Sequence, residues 1–185
     1  MPNWCNNTAV FRHADLAQAE KLLAALENKA LFSHFLPCPQ ELLDATSPIR
    51  DQEQAKALQE KYGFTDWYSW ALANWGTKWD TEAYDIPEIE EEVDDDGNKL
   101  FVVTVSFDTA WSPPTQFFEH MSTEGWNITG YYIEWGMNFC GIWDDGIDET
   151  FDIPQTADDV YDELPQELDE MFAIADMLSE REELE

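Results

Sequence analysis

Basic residues are scarce in this chain: nine Lys and Arg stand against 40 Asp and Glu, a formal net charge of −31. That imbalance argues against direct binding of nucleic acid or an anionic membrane, since both carry the same sign as the protein. Cysteine is equally thin. Cys5, Cys38 and Cys140 are odd in number, widely spaced and outside any CxxC or Cys/His cluster, so they read as reduced packing thiols. His13, His34 and His120 have neither HxxxH nor HExxH spacing, which leaves no zinc signature. No apolar run approaches the roughly 20 residues that span a bilayer. The start MPNWCNNTAVFRH has neither a basic leader nor a continuous apolar stretch, and the expected location is the cytoplasm. GxSxG, P-loop and GxGxxG motifs are missing, and Cys140 lies in an aromatic strand with no base nearby in sequence. Carboxylates are too abundant for any pair to stand out as a glycosidase-like acid and base. The expectation is therefore binding rather than catalysis, with no cofactor.

What the chain does have is aromatic mass, 14% of residues with nine tryptophans. Acidic disordered chains are poor in aromatics, so the pattern predicts a folded core inside an acidic coat. At 185 residues one domain is expected. Asn6 to Arg12 suits a strand, and Asp15 to Lys29 a helix with Leu16, Leu23, Leu26 and Ala30 on one face. Residues 31–77 read as a helical insertion: the proline-punctuated FLPCP, a polar helix near Asp51 to Tyr62 ending at Gly63, then an aromatic helix capped by Thr65. A hairpin follows, rising over Glu82 to Val93, turning at DDDGNK and returning over Leu100 to Asp108, where Phe101, Val103, Val105 and Phe107 alternate with polar positions. Ser112 and Pro113 predict the start of a helix to Thr123 that stops at Gly125, and two strands meet at Gly136.

The order β-α-β-β-α-β predicts an α+β fold, a ferredoxin-like antiparallel sheet with two helices on one face, its core in residues 1–30 and 78–143. Residues 144–185 form an acidic extension with one base, Arg181. There Leu164, Leu168, Met171, Phe172, Ala175 and Leu178 make the stripe of one amphipathic helix, frayed near SEREELE.

Two acidic clusters invite a calcium reading that the spacing rejects. With Gly97 at the sixth place of an EF-hand loop, Val103 falls where a bidentate Glu is needed, and the Asp144 to Glu149 cluster puts Gly141 and Trp143 at ligand positions. Solvated turns are expected at both. The aromatic strings are more specific. NWGTKWD sets Lys78 between Trp75 and Trp79, and TAWSPP adds Trp111 at a strand-to-helix junction. One reading is a structural joint with Lys78 paired to Asp80 or Glu134. The other is a pocket of Trp75, Lys78, Trp79, Trp111 and Glu134 for a small anionic or aromatic ligand, in a binder or an enzyme.

The strings MPNWCNN, FLPCP, NWGTKWD, TAWSPP and YIEWGMNFCG, in this order over roughly residues 1 to 143, resemble the YubB ferredoxin-like domain family of phage and plasmid accessory proteins. The resemblance implies a ferredoxin-like core and a mobile-element origin, and it brings no catalytic residues with it. An acidic protein of a mobile element would meet basic, DNA-binding proteins of host restriction or CRISPR defence in the host cytosol. Since duplex DNA carries about one charge per 1.7 Å, a net charge of −31 matches roughly 50 Å of duplex. A DNA mimic is the expected form of such a binder. Its candidate contact residues are Glu82, Glu88, Glu90 and Glu92, which share a strand parity; Asp94, Asp95 and Asp96; Asp144, Asp145, Asp148 and Glu149; Asp158 and Asp162; and, near helical spacing, Asp159, Glu163, Glu167 and Glu170.

Overall fold

In the computed structural model, which describes residues 3–183, the chain begins with strand β1 (Trp4–His13), longer at both ends than its apolar pattern indicates. The first two residues of MPNWCNN and the last two of SEREELE lie outside the described residues. Strands β2 (Glu90–Val93), β3 (Lys99–Ala110), β4 (Asn127–Glu134), β5 (Phe139–Asp144) and β6 (Ile147–Asp152) join β1 in one antiparallel sheet of order β2-β3-β1-β4-β5-β6. Its first four members, with a helix after β1 and another after β3, reproduce the expected β-α-β-β-α-β circuit, and β5 and β6 extend the β4 edge.

Side chains alternate between the two faces. Ala9 and Phe11 of β1, opposite Val105 and Val103 of β3, point to a first face covered by α1 (Leu16–Glu27) and α6 (Thr115–Thr123). Asp15 caps α1 by accepting from Ala17 N at 3.0 Å. The helix buries Ala19, Leu22, Ala25 and Leu26, which rotates the expected face: Leu16 is 41% exposed, and small alanines bring the helix close to the sheet. The helix α6 starts two residues later than expected. Pro114 disfavours helical backbone at Pro113, and the Ser112 hydroxyl donates to Gly76 O instead of capping.

Between β1 and β2 the insertion forms α2 (Leu31–Phe35), α3 (Gln40–Leu43), α4 (Gln52–Tyr62) and α5 (Trp67–Asn74). It merges with the first-face core through Leu31, Phe32, Leu42, Leu58, Trp70 and Trp75. Gly63, at φ 78°, ends α4 as expected, while Asp66 rather than Thr65 caps α5, accepting from Ser69 N at 3.0 Å. The rising arm of the hairpin is shorter than expected. Only Glu90–Val93 is strand, Ala83 makes an isolated bridge to Phe107, and Pro87 between them cannot donate to a ladder.

The C-terminal extension departs most from expectation. It opens with β6, paired to β5 through a two-residue turn in which Asp145 and Gly146 both have positive φ, 43° and 89°, as a type I′ hairpin requires. The expected single helix is three: α7 (Ala157–Glu163), α8 (Gln166–Phe172) and α9 (Ile174–Glu182). Pro165 holds Leu164 extended at φ −115°, ψ 149°, which ends α7. Ala173, left-handed at φ 51°, separates α8 from α9, and Asp169 bridges the break by accepting from Ala175 N at 2.8 Å. Leu164, Leu168, Ile174, Ala175 and Leu178 pack on Ile133 and Cys140, so the extension covers the β4 to β6 half of the second face. The β2-β3-β1 half of that face contributes nothing to this second cluster; Thr8 and Val102 are buried there, Val10 and Ser106 half-buried and Thr104 exposed. Among the described residues no helix is long and apolar enough to cross a membrane.

Candidate functional site: an aromatic cage and an acidic sheet face

The two tryptophan strings meet, and the Thr77 and Ser112 hydroxyls tie each to main-chain groups of the other. Thr77 Oγ1 donates to Ala110 O and accepts from Ala110 N, each at 3.1 Å, while Thr109 Oγ1 donates to Ser112 O at 2.7 Å. Gly76 makes the approach possible. It has φ 84°, and a Cβ there would lie 3.1 Å from Pro113 O and 3.2 Å from Thr115 N. Trp111 takes the left-handed backbone at φ 68°, which is costly for a bulky residue, with its N–H bonded to Asn3 O at 3.0 Å.

Of the five pocket candidates, three come together. Trp79 stacks on Trp111 with centroids 6.2 Å apart, and Lys78 Nζ lies 4.5 Å from the Trp79 centroid, 5.2 Å from Trp111 and 5.5 Å from Tyr68. Trp4 extends the stack, 6.3 Å from Trp79, and both rings are more than a third exposed. Lys78 thus sits in an aromatic cage and pairs with neither Asp80 nor Glu134. Both Asp80 oxygens accept main-chain N–H groups, from Phe32, Ser33 and Thr81. The other two candidates lie elsewhere. Trp75 is buried in the core, its Nε1 donating to Leu36 O at 2.9 Å, and Glu134 accepts from Gly136 N and Met137 N to hold the β4–β5 turn. Beside the cage a shallow cavity of about 330 Å³ is lined by Ser47, Pro48, Asp66, Trp67, Tyr68 and Lys78. Tyr68 and Trp4 were outside the sequence-derived set; each stands in a string distant from the cage.

The acidic candidates fall into three groups. Glu90 and Glu92 of β2, Asp144 of β5 and Glu149 of β6 all register on the second face, opposite Val102, Leu100, Thr129 and Ile142 respectively. Glu167 and Glu170 on α8 rise beside that face. Burial raises the Tyr131 phenol pKa, as do the nearby carboxylates of Glu167, Asp144 and Glu170, while Arg12 opposes them, which places these charges around one ring. Arg12 joins the groups: Nε reaches Glu92 at 3.4 Å, and Nη1 donates to Thr129 Oγ1 at 3.2 Å, whose hydroxyl donates to Asp144.

A second group shapes turns and helix starts. Asp94 accepts from the Asn98 side-chain amide and from Asn98 N and Asp96 N, which lowers its pKa, while Asp95 and Asp96 are exposed at the hairpin tip. In the first turn of α7, Asp159 accepts from Thr156 Oγ1, and Asp158, Asp162 and Glu163 are exposed. Exposed Asp145 forms the β5–β6 turn. The third group lies off the second face: Asp148 accepts from the Tyr132 hydroxyl at 2.6 Å on the first face, and Glu82 pairs with Lys29 at 2.5 Å in the segment before β2. Glu88 is exposed in the same segment, outside any strand.

Chemically this is a surface built for charge. Burial pushes the thiol pKa values of Cys38 and Cys140 up to about 11, and that of Cys5 further, so all three stay protonated at neutral pH. Burial and a bond to Asp108 push Tyr84 up to about 12. Among the described residues no three His, Cys, Asp or Glu converge as a metal site.

No family model and no curated protein matches the chain. Among solved structures it is similar to the crystal structure of a protein api92 from Yersinia pseudotuberculosis (family-model DUF1281), at 10% identity and a TM-score of 0.36, over 83% of this chain and 99% of that one. So distant a likeness assigns no activity, ligand or partner.

Proposed function

We propose that this protein is a binding protein that sets carboxylates where a basic partner expects phosphates: a DNA mimic occupying the DNA-binding surface of a host defence protein of restriction or CRISPR type. The reading is carried by the uncompensated anionic surface. Five of the nine bases already pair with glutamates, Arg12, Lys29, Lys56, Lys61 and Lys99, and Lys21, Lys78 and Arg181 lie over aromatic rings. Apart from acids turned inward such as Asp66, Asp80 and Glu134, most of the remaining carboxylates are exposed on the sheet and its capping helices. Strand spacing of about 4.8 Å separates the acidic edge strands β2 and β6 by roughly 24 Å. Acids on these edges also block sheet-to-sheet pairing, a second role for the same charges. The mobile-element setting follows from the family resemblance, and the partner's chemistry from the charge.

The test is retention of host proteins at low salt followed by competition with duplex DNA. Release of a DNA-binding defence protein by DNA is expected, and affinity should fall as salt rises. If everything retained is indifferent to DNA, mimicry is wrong.

A further inference from the structure

The tail helices leave a trough where they stop. Its floor is the β3-β1 part of the second face, with Asn6, Thr8 and Ser106 beside Tyr84 at one end and Val10, Thr104 and Arg12 further along. One wall is the α8–α9 junction, where Trp135, Met171 and Met177 line a cavity of about 500 Å³ against that floor. Met171 and Met177 are 37% and 41% exposed, on helices whose neighbours Leu168, Ile174 and Leu178 are buried. The left-handed Ala173 makes this possible. By ending α8 and restarting the chain as α9, it sends Met171 and Met177 toward the trough while Ile174 and Ala175 continue the buried stripe.

The rims are charged. Glu170 stands on the tail wall, with Glu167 one turn earlier; Tyr84 edges the floor facing the methionines, and Glu90 and Glu92, the latter paired with Arg12, stand further along the same edge, beside Val102 and Leu100. From β2 to β4 the sheet spans three strand spacings, about 14 Å, and an α-helix with its side chains is about 10–12 Å across. Methionine is an adaptable docking surface, because its flexible thioether repacks against differently shaped apolar side chains.

We propose that this trough is the docking site of an amphipathic cationic helix of the partner protein, apolar face against the methionine wall and Lys or Arg side chains toward the two acidic rims. The proposal rests on the reading that the partner is basic, and it adds which surface is used and what form the partner's contact takes. The mode is helix-in-groove recognition with electrostatic steering.

The probe is a fluorescein-labelled helical peptide of about 20 residues in which leucines and lysines segregate to opposite faces. Its controls are a scrambled peptide of the same composition and an oligolysine of equal charge. The segregated helix should bind more tightly than either control by about tenfold or more. Met171→Gln with Met177→Gln, which keeps the charge and removes the apolar wall, should weaken the helix by about tenfold and leave oligolysine unchanged. Glu90→Lys with Glu170→Lys should weaken it more than Glu20→Lys with Glu119→Lys, the same charge change on α1 and α6 over the opposite face. As a readout needing no variant, bound helix should slow amide exchange in β1 and at the α8–α9 junction of the wild-type protein. Equal binding of segregated and scrambled peptides, or indifference to the methionine pair, overturns the trough and leaves a basic partner in place. Failure of every cationic probe, oligolysine included, at low salt overturns the basic-partner reading itself.

Discussion

Thr77 and Lys78 are adjacent in sequence and do different work. The Thr77 hydroxyl is buried and satisfies both main-chain groups of Ala110, so it welds the insertion to the end of β3. Thr77→Val keeps the volume and strands an N–H and a carbonyl away from water, an expected loss of about 1–3 kcal/mol. The Lys78 ammonium is only partly buried and has three ring faces for company. Its replacement by alanine should cost about 0.5–1 kcal/mol, the range of an exposed cation–π contact. Urea midpoints of the two variants at constant m-value measure the difference. A Lys78 loss equal to that of Thr77 would make the cage part of the joint rather than a feature displayed on it.

At the scale of elements the tail is a structural layer, because α8 buries Leu168 completely against the β4–β5 half of the sheet. Leu168→Ala should lower the unfolding free energy by about 2–5 kcal/mol. A solvated appendage would register less than about 0.5 kcal/mol in the same denaturation curve. The stripe of Leu164, Leu168, Ala175 and Leu178 made a packed tail legible in the sequence, but Pro165, a helix breaker inside the single helix expected there, went unread; Ala173 carried no signal, since alanine favours helix and only the tertiary fit forces it left-handed. The six-element core was legible for a similar reason. Val103, Val105 and Phe107 alternate with Thr104 and Ser106, helices begin right after Asp15 and Asp51, close to where the sequence starts them, and Gly63 ends α4 as read. Strand β6 escaped notice because IDETFD is an edge strand whose exposed acids hide its Ile147, Glu149, Phe151 alternation, although Asp145-Gly146 was a hairpin signal in plain sight. Of the candidate site, Lys78, Trp79 and Trp111 could be read from their strings. That Glu90, Glu92, Asp144 and Glu149 share a face could not, because that depends on register across strands distant in sequence.

For the molecule as a whole, a net charge of −31 opposes compaction and favours a cationic partner, and salt acts on both through the same screening. The Debye length falls from about 10 Å at 0.1 M to about 3 Å at 1 M, so repulsion between separate acidic groups fades first. Added NaCl should therefore raise the urea midpoint of the free protein. The same series should weaken binding to the proposed basic partner, because attraction across an exposed interface is screened by the same ions and released counterions become less favourable. Both curves belong in one titration of one preparation. A stability that stays flat while affinity falls would mean that the acids repel one another little in the folded state and are spaced for a partner. Affinity that holds while stability rises would place the binding energy in the apolar wall of Trp135, Met171 and Met177, with the acids serving only to guide encounter.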